Sequence, residues 1–414
     1  MSKIFLSEKS NPSVNALVFL LALSFSDSLF GLVNDDTFNI ASIVNASFIG
    51  QVGLLFFSTY LYFRNCKVKI YVNYLNILIL LLIAMCFFAA FRSFQLTGQP
   101  FLRGILPQRG FVICLICALL LKRPIANQMI DVKKIIDGII IIGTIVSFLY
   151  FLQAFSGVQL FQVMSNERYG SVRLYIKNCF CDLAGIFAFW KLCNTGILRY
   201  LLPSTLTIAL CILVSKSRLE LISLIAVYIF IFCIAKCRAD YKFLLLILFI
   251  LVACLFLSTN YGQTLLANFN PITAEDTSSI RDEGKALYAN QLNSSTVSWL
   301  FGCGYPSSIY YPAYVRSGMD RGFLLVDNGI SAFTYVYGHV GLMLIICVFL
   351  FMLRQCIRRS NETNRVYCLA FLIFNLVLSS NITWWWTSSS WQVVMAFFVA
   401  FSAADPINKG VQHV

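Results

Sequence analysis

Four cations, Arg281, Lys285, Arg316 and Arg321, lie in one polar run, residues 259–333, and Asp327 and Asn328 fall near its end. A guanidinium presents five donors in a fixed fork that matches phosphate oxygens. A carboxylate beside such groups can accept a proton from a hydroxyl, orient a ligand, or simply pair with one arginine. A second constellation, Ser215-Lys216-Ser217-Arg218-Leu219-Glu220, forms a very short hairpin between two apolar stretches. Arg218 there either grips a phosphate or snorkels to a lipid headgroup, and residue type alone leaves both open.

The elements that must position these groups are membrane helices. Hydrophobic residues make up 59% of the chain and charged residues 12%, with a mean hydropathy of +0.78. Soluble domains carry roughly 25% charged residues. The chain therefore reads as a polytopic, all-α integral membrane protein, because helices alone satisfy their own backbone in lipid within one segment. Hydropathy predicts about twelve spans: 15–33, 40–63, 71–91, 104–121, 135–154, 178–192, 199–215, 219–235, 242–258, 334–353, 366–381 and 388–403. No repeat or linker divides residues 1–414, so one membrane domain is expected, with 259–333 as a large loop between the ninth and tenth spans. The short connections on one side are basic, and with Lys3, Lys9 and Lys409 they hold nineteen of the 31 Lys and Arg residues. The positive-inside rule then predicts cytoplasmic termini and an outward-facing loop, and the first apolar stretch, which shows no small-residue cleavage site, reads as a retained first span. The other twelve cations, among them Arg92, Arg103, Arg109 and Arg173, fall on the loop side.

Within the loop, residues 273–295 read as a short amphipathic surface helix with Arg281 in its first half, and Gly302 and Gly304 permit a tight turn. Cys303 is the loop's single cysteine and cannot staple it, so short helices docked on the membrane domain are expected. Cys114 and Cys117 form a CxxC inside an apolar run and read as a packed helix face. His339 is expected between helices. The cluster Trp384-Trp385-Trp386 with Trp391 reads as an interfacial aromatic belt, or alternatively as a sugar-stacking face through Trp385. Asp27, inside the first apolar run, must face protein or water.

The SR hairpin, the SxxR…Y…LFGCGYP run over residues 278–306, and Asp327-Asn328 leading to Tyr337-Gly338-His339-Val340-Gly341 together resemble the bacterial O-antigen polymerase family and its sister O-antigen ligases. The resemblance covers roughly residues 199–345 by motif and the whole chain by topology. It implies an inner-membrane glycosyltransferase with no cofactor and no metal, acting at the periplasmic face on oligosaccharides carried by undecaprenyl pyrophosphate. The bilayer and a chain-length regulator are its implied partners; nucleic acid is not. Arg218 corresponds to the hairpin arginine and Arg281 to the arginine of the loop helix, with Asp327 as the base or orienting group for the acceptor hydroxyl. Arg173, Lys216, Arg316, Arg321 and Trp385 are expected to contact substrate. Ligases place a histidine where this chain has Asp327, which favours polymerase over ligase. A lipid-linked sugar flippase is the third reading, although it has no need of a large outward loop. A sugar diphosphate already carries an anionic leaving group, so cations and one base suffice, and the paired acids of a glycosidase are not required.

Overall fold

The computed structural model describes residues 11–33, 45–64, 74–168, 171–176, 178–235, 263, 275–358 and 365–404. The ninth predicted span, 242–258, and the first part of the polar run lie outside the described residues. The chain is mostly helical. Its helices are α1 (Pro12–Ser26), α2 (Ala46–Arg64), α3 (Tyr74–Thr97), α4 (Phe101–Ala126), α5 (Val132–Ser156), α6 (Cys179–Thr195), α7 (Leu198–Ser215) and α8 (Arg218–Ile234). The loop carries α9 (Glu275–Leu292), α10 (Thr296–Phe301) and α11 (Tyr311–Arg316). It is followed by α12 (Gly329–Arg358), α13 (Arg365–Leu378), α14 (Trp384–Thr387) and α15 (Ser389–Ala403). A two-stranded antiparallel hairpin, β1 (Ser165–Arg168) and β2 (Ser171–Leu174), precedes α6, with Asn166 opposite Arg173.

Polar residues set several of the helix starts. Asn11 accepts from Ser13 N at 3.0 Å with Pro12 at the first helical position, Asp131 accepts from Lys134 N at 3.1 Å, and Asn178 accepts from Phe180 N at 2.8 Å. Among the described residues six helices, α2, α3, α4, α5, α7 and α12, are long and apolar enough to cross a membrane. The apolar helices α1, α13 and α15 are shorter, at 15, 14 and 15 residues. For α15 the reason is position: almost every residue of it is buried, and it packs against α1, α2, α4, α6, α12 and α13. A helix enclosed by protein need not match the roughly 30 Å of hydrocarbon.

The first predicted span also ends early. α1 stops at Ser26, and Ser28, Leu29, Phe30 and Gly31 form a single left-handed turn with φ of 51°, 49°, 66° and 85°. The turn is held where Tyr150 Oη donates to Phe30 O at 2.7 Å and Gln162 N donates to Gly31 O at 2.6 Å.

Contacts sort the connections into two ends. At one, Asn15 Nδ2 donates to Met129 O, Lys191 pairs with Asp137, and Arg365 donates to the carbonyls of Phe401 and Ala404. At the other end the loop docks as short helices. Gln99, wholly buried after α3, donates to Tyr305 O at 3.0 Å and accepts from Ser307 N at 2.8 Å. The main seam is backbone to backbone. Gly338, at φ 68° and ψ −175°, interrupts α12, and Tyr335 O and Val336 O accept from Cys303 N at 2.7 Å and Gly304 N at 3.2 Å. Gly302, at φ 81°, lies so close that a Cβ there would meet the Val336 carbonyl and Gly338 N.

Gly302→Ala is therefore expected to destabilise by more than the about 1–2 kcal/mol that a left-handed conformation alone costs, and to release the loop. A lower melting temperature in detergent, with faster proteolysis between 275 and 328, checks this. An unchanged melt would show that the seam is dispensable.

Candidate functional site

The first group of cations gathers where the loop meets α3. Arg92, 8% exposed, donates through Nε to Gly302 O at 3.4 Å, and its terminal nitrogens donate to Ser298 Oγ at 3.2 Å and Gln95 Oε1 at 2.9 Å. Arg316, in the last turn of α11, lies against Cys303 and Tyr335, and its backbone carbonyl accepts from Gln291 Nε2 at 2.6 Å. Arg316 Nε is buried with no acceptor among the described residues. Among the described residues every side-chain and backbone partner of these two arginines is neutral. Burial pushes the Cys303 thiol up, with the Arg316 and Arg92 charges partly opposing it.

The second group surrounds the SR hairpin. Arg173, from β2, stacks over Tyr175 at 4.3 Å and donates through Nε to Ser215 O at 2.7 Å. It thereby joins Lys216, buried at φ 49°, and Arg218, half-buried in the first turn of α8. Behind them Ser215 Oγ donates to Glu220 Oε2 at 3.1 Å, and Glu220 lies against Asp182 of α6. Asp27, at the end of α1, acts electrostatically on Asp182 and completes a buried carboxyl cluster.

The third group is the helix α9 and the corner it covers. Its predicted extent, 273–295, matches the observed Glu275–Leu292, with Arg281 half-buried in the first half. Lys285 Nζ donates to Asn381 Oδ1 at 2.6 Å, and Gly284, one turn beyond Arg281, faces the Asn328 side chain. The structure thus brings the arginine helix to the Asp327-Asn328 corner. Asp327 is half-buried, and its carboxylate has no hydrogen-bond or ion-pair partner among the described residues. It does not pair with Arg281 or with Arg321, which is exposed on the Met319–Arg321 turn.

Two expectations need correction. Trp385 is wholly buried among Phe111, Phe333 and Phe349, and its Nε1 donates to Ser379 Oγ at 2.9 Å. Its faces are covered by protein, so it offers no platform to a sugar. With Trp384, Trp386 and Trp391 also buried, the cluster is core and not an interfacial belt. His339 is half-buried on the loop side, stacked on Trp299 at 4.2 Å with Nδ1 2.8 Å from Trp299 O. Cys114 and Cys117 are buried free thiols, as the packed-face reading expects.

Sequence reasoning missed Arg92 as a site residue, although a lone charge at the end of an apolar run is a signal of function. It also missed the approach of Asp182 to Glu220, for which no local pattern exists.

Trp385→Ala is expected to cost about 3–5 kcal/mol, as large-to-small changes of buried aromatics do, with a fall in cellular protein level. Thermal melting of the purified variant measures this; a stable variant with weakened sugar binding would restore the stacking role.

Comparison with protein-family models, with curated proteins and with solved structures finds no match to this chain.

Proposed function

We propose that this membrane protein is a glycosyltransferase of the O-antigen polymerase kind, joining oligosaccharide units carried on undecaprenyl pyrophosphate at the outward face of a bacterial inner membrane. One observation carries the reading. At the loop end, Arg92, Arg281, Arg316 and Arg321 have no carboxylate partner among the described residues, and two of them converge on the Gly302–Gly304 turn. Two of these guanidinium groups, Arg92 and the Nε of Arg316, are withdrawn from water without a counter-ion among the described residues, which is costly. A diphosphate supplies the missing charge, with oxygens that match their geometry.

In the proposed reaction an acceptor hydroxyl attacks the anomeric carbon of the donor sugar. The new glycosidic C–O bond forms as the bond to the diphosphate breaks, the hydroxyl proton passes to Asp327, and undecaprenyl pyrophosphate leaves with the bonding pair. Arg218 and Arg281 hold the diphosphate, with Arg173, Lys216, Arg316 and Arg321 as further substrate contacts. Because the leaving group is an anion, the arginines serve as its electrostatic acid, a role worth about 10²–10³ in rate per donor.

The carboxyl cluster Asp27–Asp182–Glu220 favours a second reading, a flippase for lipid-linked sugars, since ionisable groups within membrane bundles often mark transport pathways. A gene-deletion strain separates these readings on a lipopolysaccharide gel. Core bearing one repeat unit supports a polymerase, whereas bare core points to a ligase or a flippase.

Arg218→Lys and Arg281→Lys are each expected to lower polymerisation by about 10²-fold or more at unchanged protein level, because a point charge does not reproduce a bidentate clamp. Normal ladders from both variants would remove the diphosphate assignment. Asp327→Asn is expected to abolish turnover of purified lipid-linked units while leaving donor binding intact. Full turnover would end its role as a base.

A further inference from the structure

At the same end of the bundle, a cleft of about 170 Å³ opens between α2, the start of α4, the loop at Tyr305 and the α14–α15 corner. That is roughly tenfold the volume a single water needs. Its walls are amides and aromatic rings. Gln51, 2% exposed, donates through Nε2 to Gln392 Oε1 at 2.8 Å, and Gln392 in turn donates to Trp386 O. Gln51 Oε1 accepts no hydrogen bond among the described residues. On the opposite wall Gln108 Oε1 accepts from Tyr337 Oη at 2.7 Å, and Tyr337 Oη accepts from Trp386 Nε1 at 3.1 Å. Tyr305 packs edge-on against Trp386 at 5.9 Å, and its phenol is pushed up to about 12 by burial, so it lines the cleft as a neutral hydroxyl.

Charge is nearly absent. Arg109, stacked on Phe48 at 4.3 Å, is the single cation of the lining, and no carboxylate lines it. A site for a bare phosphate would concentrate cations, as the loop does. A cleft for lipid chains would be apolar. Gln51 Oε1 is an acceptor without a partner among the described residues and suits a sugar hydroxyl, the rim adds the hydroxyls of Thr387 and Ser389, and aromatic walls suit the C–H faces of the ring. Each amide is also fixed by a second hydrogen bond, so little freedom is lost when a ligand binds.

We propose that this cleft is a saccharide subsite that holds one sugar ring of the acceptor glycan. That it takes a sugar rests on the lining; that the sugar belongs to the acceptor rests on the polymerase reading above.

The test is saturation-transfer NMR on the purified full chain in lipid nanodiscs, with N-acetylglucosamine, glucose and inorganic phosphate as probes. Saturation of the sugar ring protons is expected, unchanged when phosphate is added as a competitor. Ser389→Phe fills the cleft from its rim, keeps the backbone carbonyl that accepts from Gln51 Nε2 at 3.5 Å, and is expected to abolish the signal at an unchanged melting temperature. Gln51→Leu is expected to weaken binding by about tenfold, the effect of one lost hydrogen bond. The proposal is overturned if no sugar is saturated, if Ser389→Phe leaves saturation unchanged, or if phosphate abolishes the saturation of the sugar. These outcomes are independent of the gel ladder. A normal ladder in the deletion strain with sugar bound refutes the polymerase and leaves the cleft, and a single-repeat ladder with no sugar bound does the reverse.

Discussion

Where α12 breaks at Gly338, two of its carbonyls face two N–H groups of the loop, and the site is assembled around that seam. A backbone group buried without a partner costs several kcal/mol in an apolar setting, so a broken helix near a membrane needs outside donors. Cys303 and Gly304 provide them, and the close approach requires glycine at 302. The seam in turn fixes Arg92, which reaches Gly302 O, and Arg316, which lies over Cys303. It also fixes the path of the chain onward to Gln99 and Tyr305. The loop is thereby part of the bundle's packing, although its composition is polar.

Charge is distributed around this frame by an economy of counter-ions. Arginines of the loop end take carbonyls, hydroxyls and an amide as partners, while Asp27, Asp182 and Glu220 are gathered deeper, behind the SR hairpin. Direct pairing would have neutralised both sets. Instead the loop-end arginines keep neutral partners among the described residues, and of the cations Arg173 acts electrostatically on Glu220.

The apolar runs made much of this legible. Residues 104–121, 135–154 and 334–353 were marked as spans, and the observed helices extend each by a few residues, as helix ends set by caps and turns do. The loop helix was legible because its amphipathic pattern stands alone in polar surroundings. Trp385 was misread because an aromatic cluster beside a hairpin has the same composition whether it faces lipid headgroups or packs on Phe333. The cleft was silent for a related reason. Gln51, Gln108 and Gln392 are uncharged, lie hundreds of residues apart at the extremes, and acquire meaning only when α2, α4 and α15 meet. Asp327 was visible as a residue, but its lack of a partner is a property of the folded corner alone.

The left-handed turn at Ser28–Gly31 ends α1 by a change of hand. Three non-glycine residues of the wrong hand cost about 3–6 kcal/mol, set against two hydrogen bonds, from Tyr150 and Gln162, and the packing of Phe30 on Phe180. The sequence through Val33 is apolar and would also serve as an ordinary continuation of α1. Reversal of hand over these residues would lengthen that helix by about one turn and would break both hydrogen bonds, so the turn fixes where α1 ends.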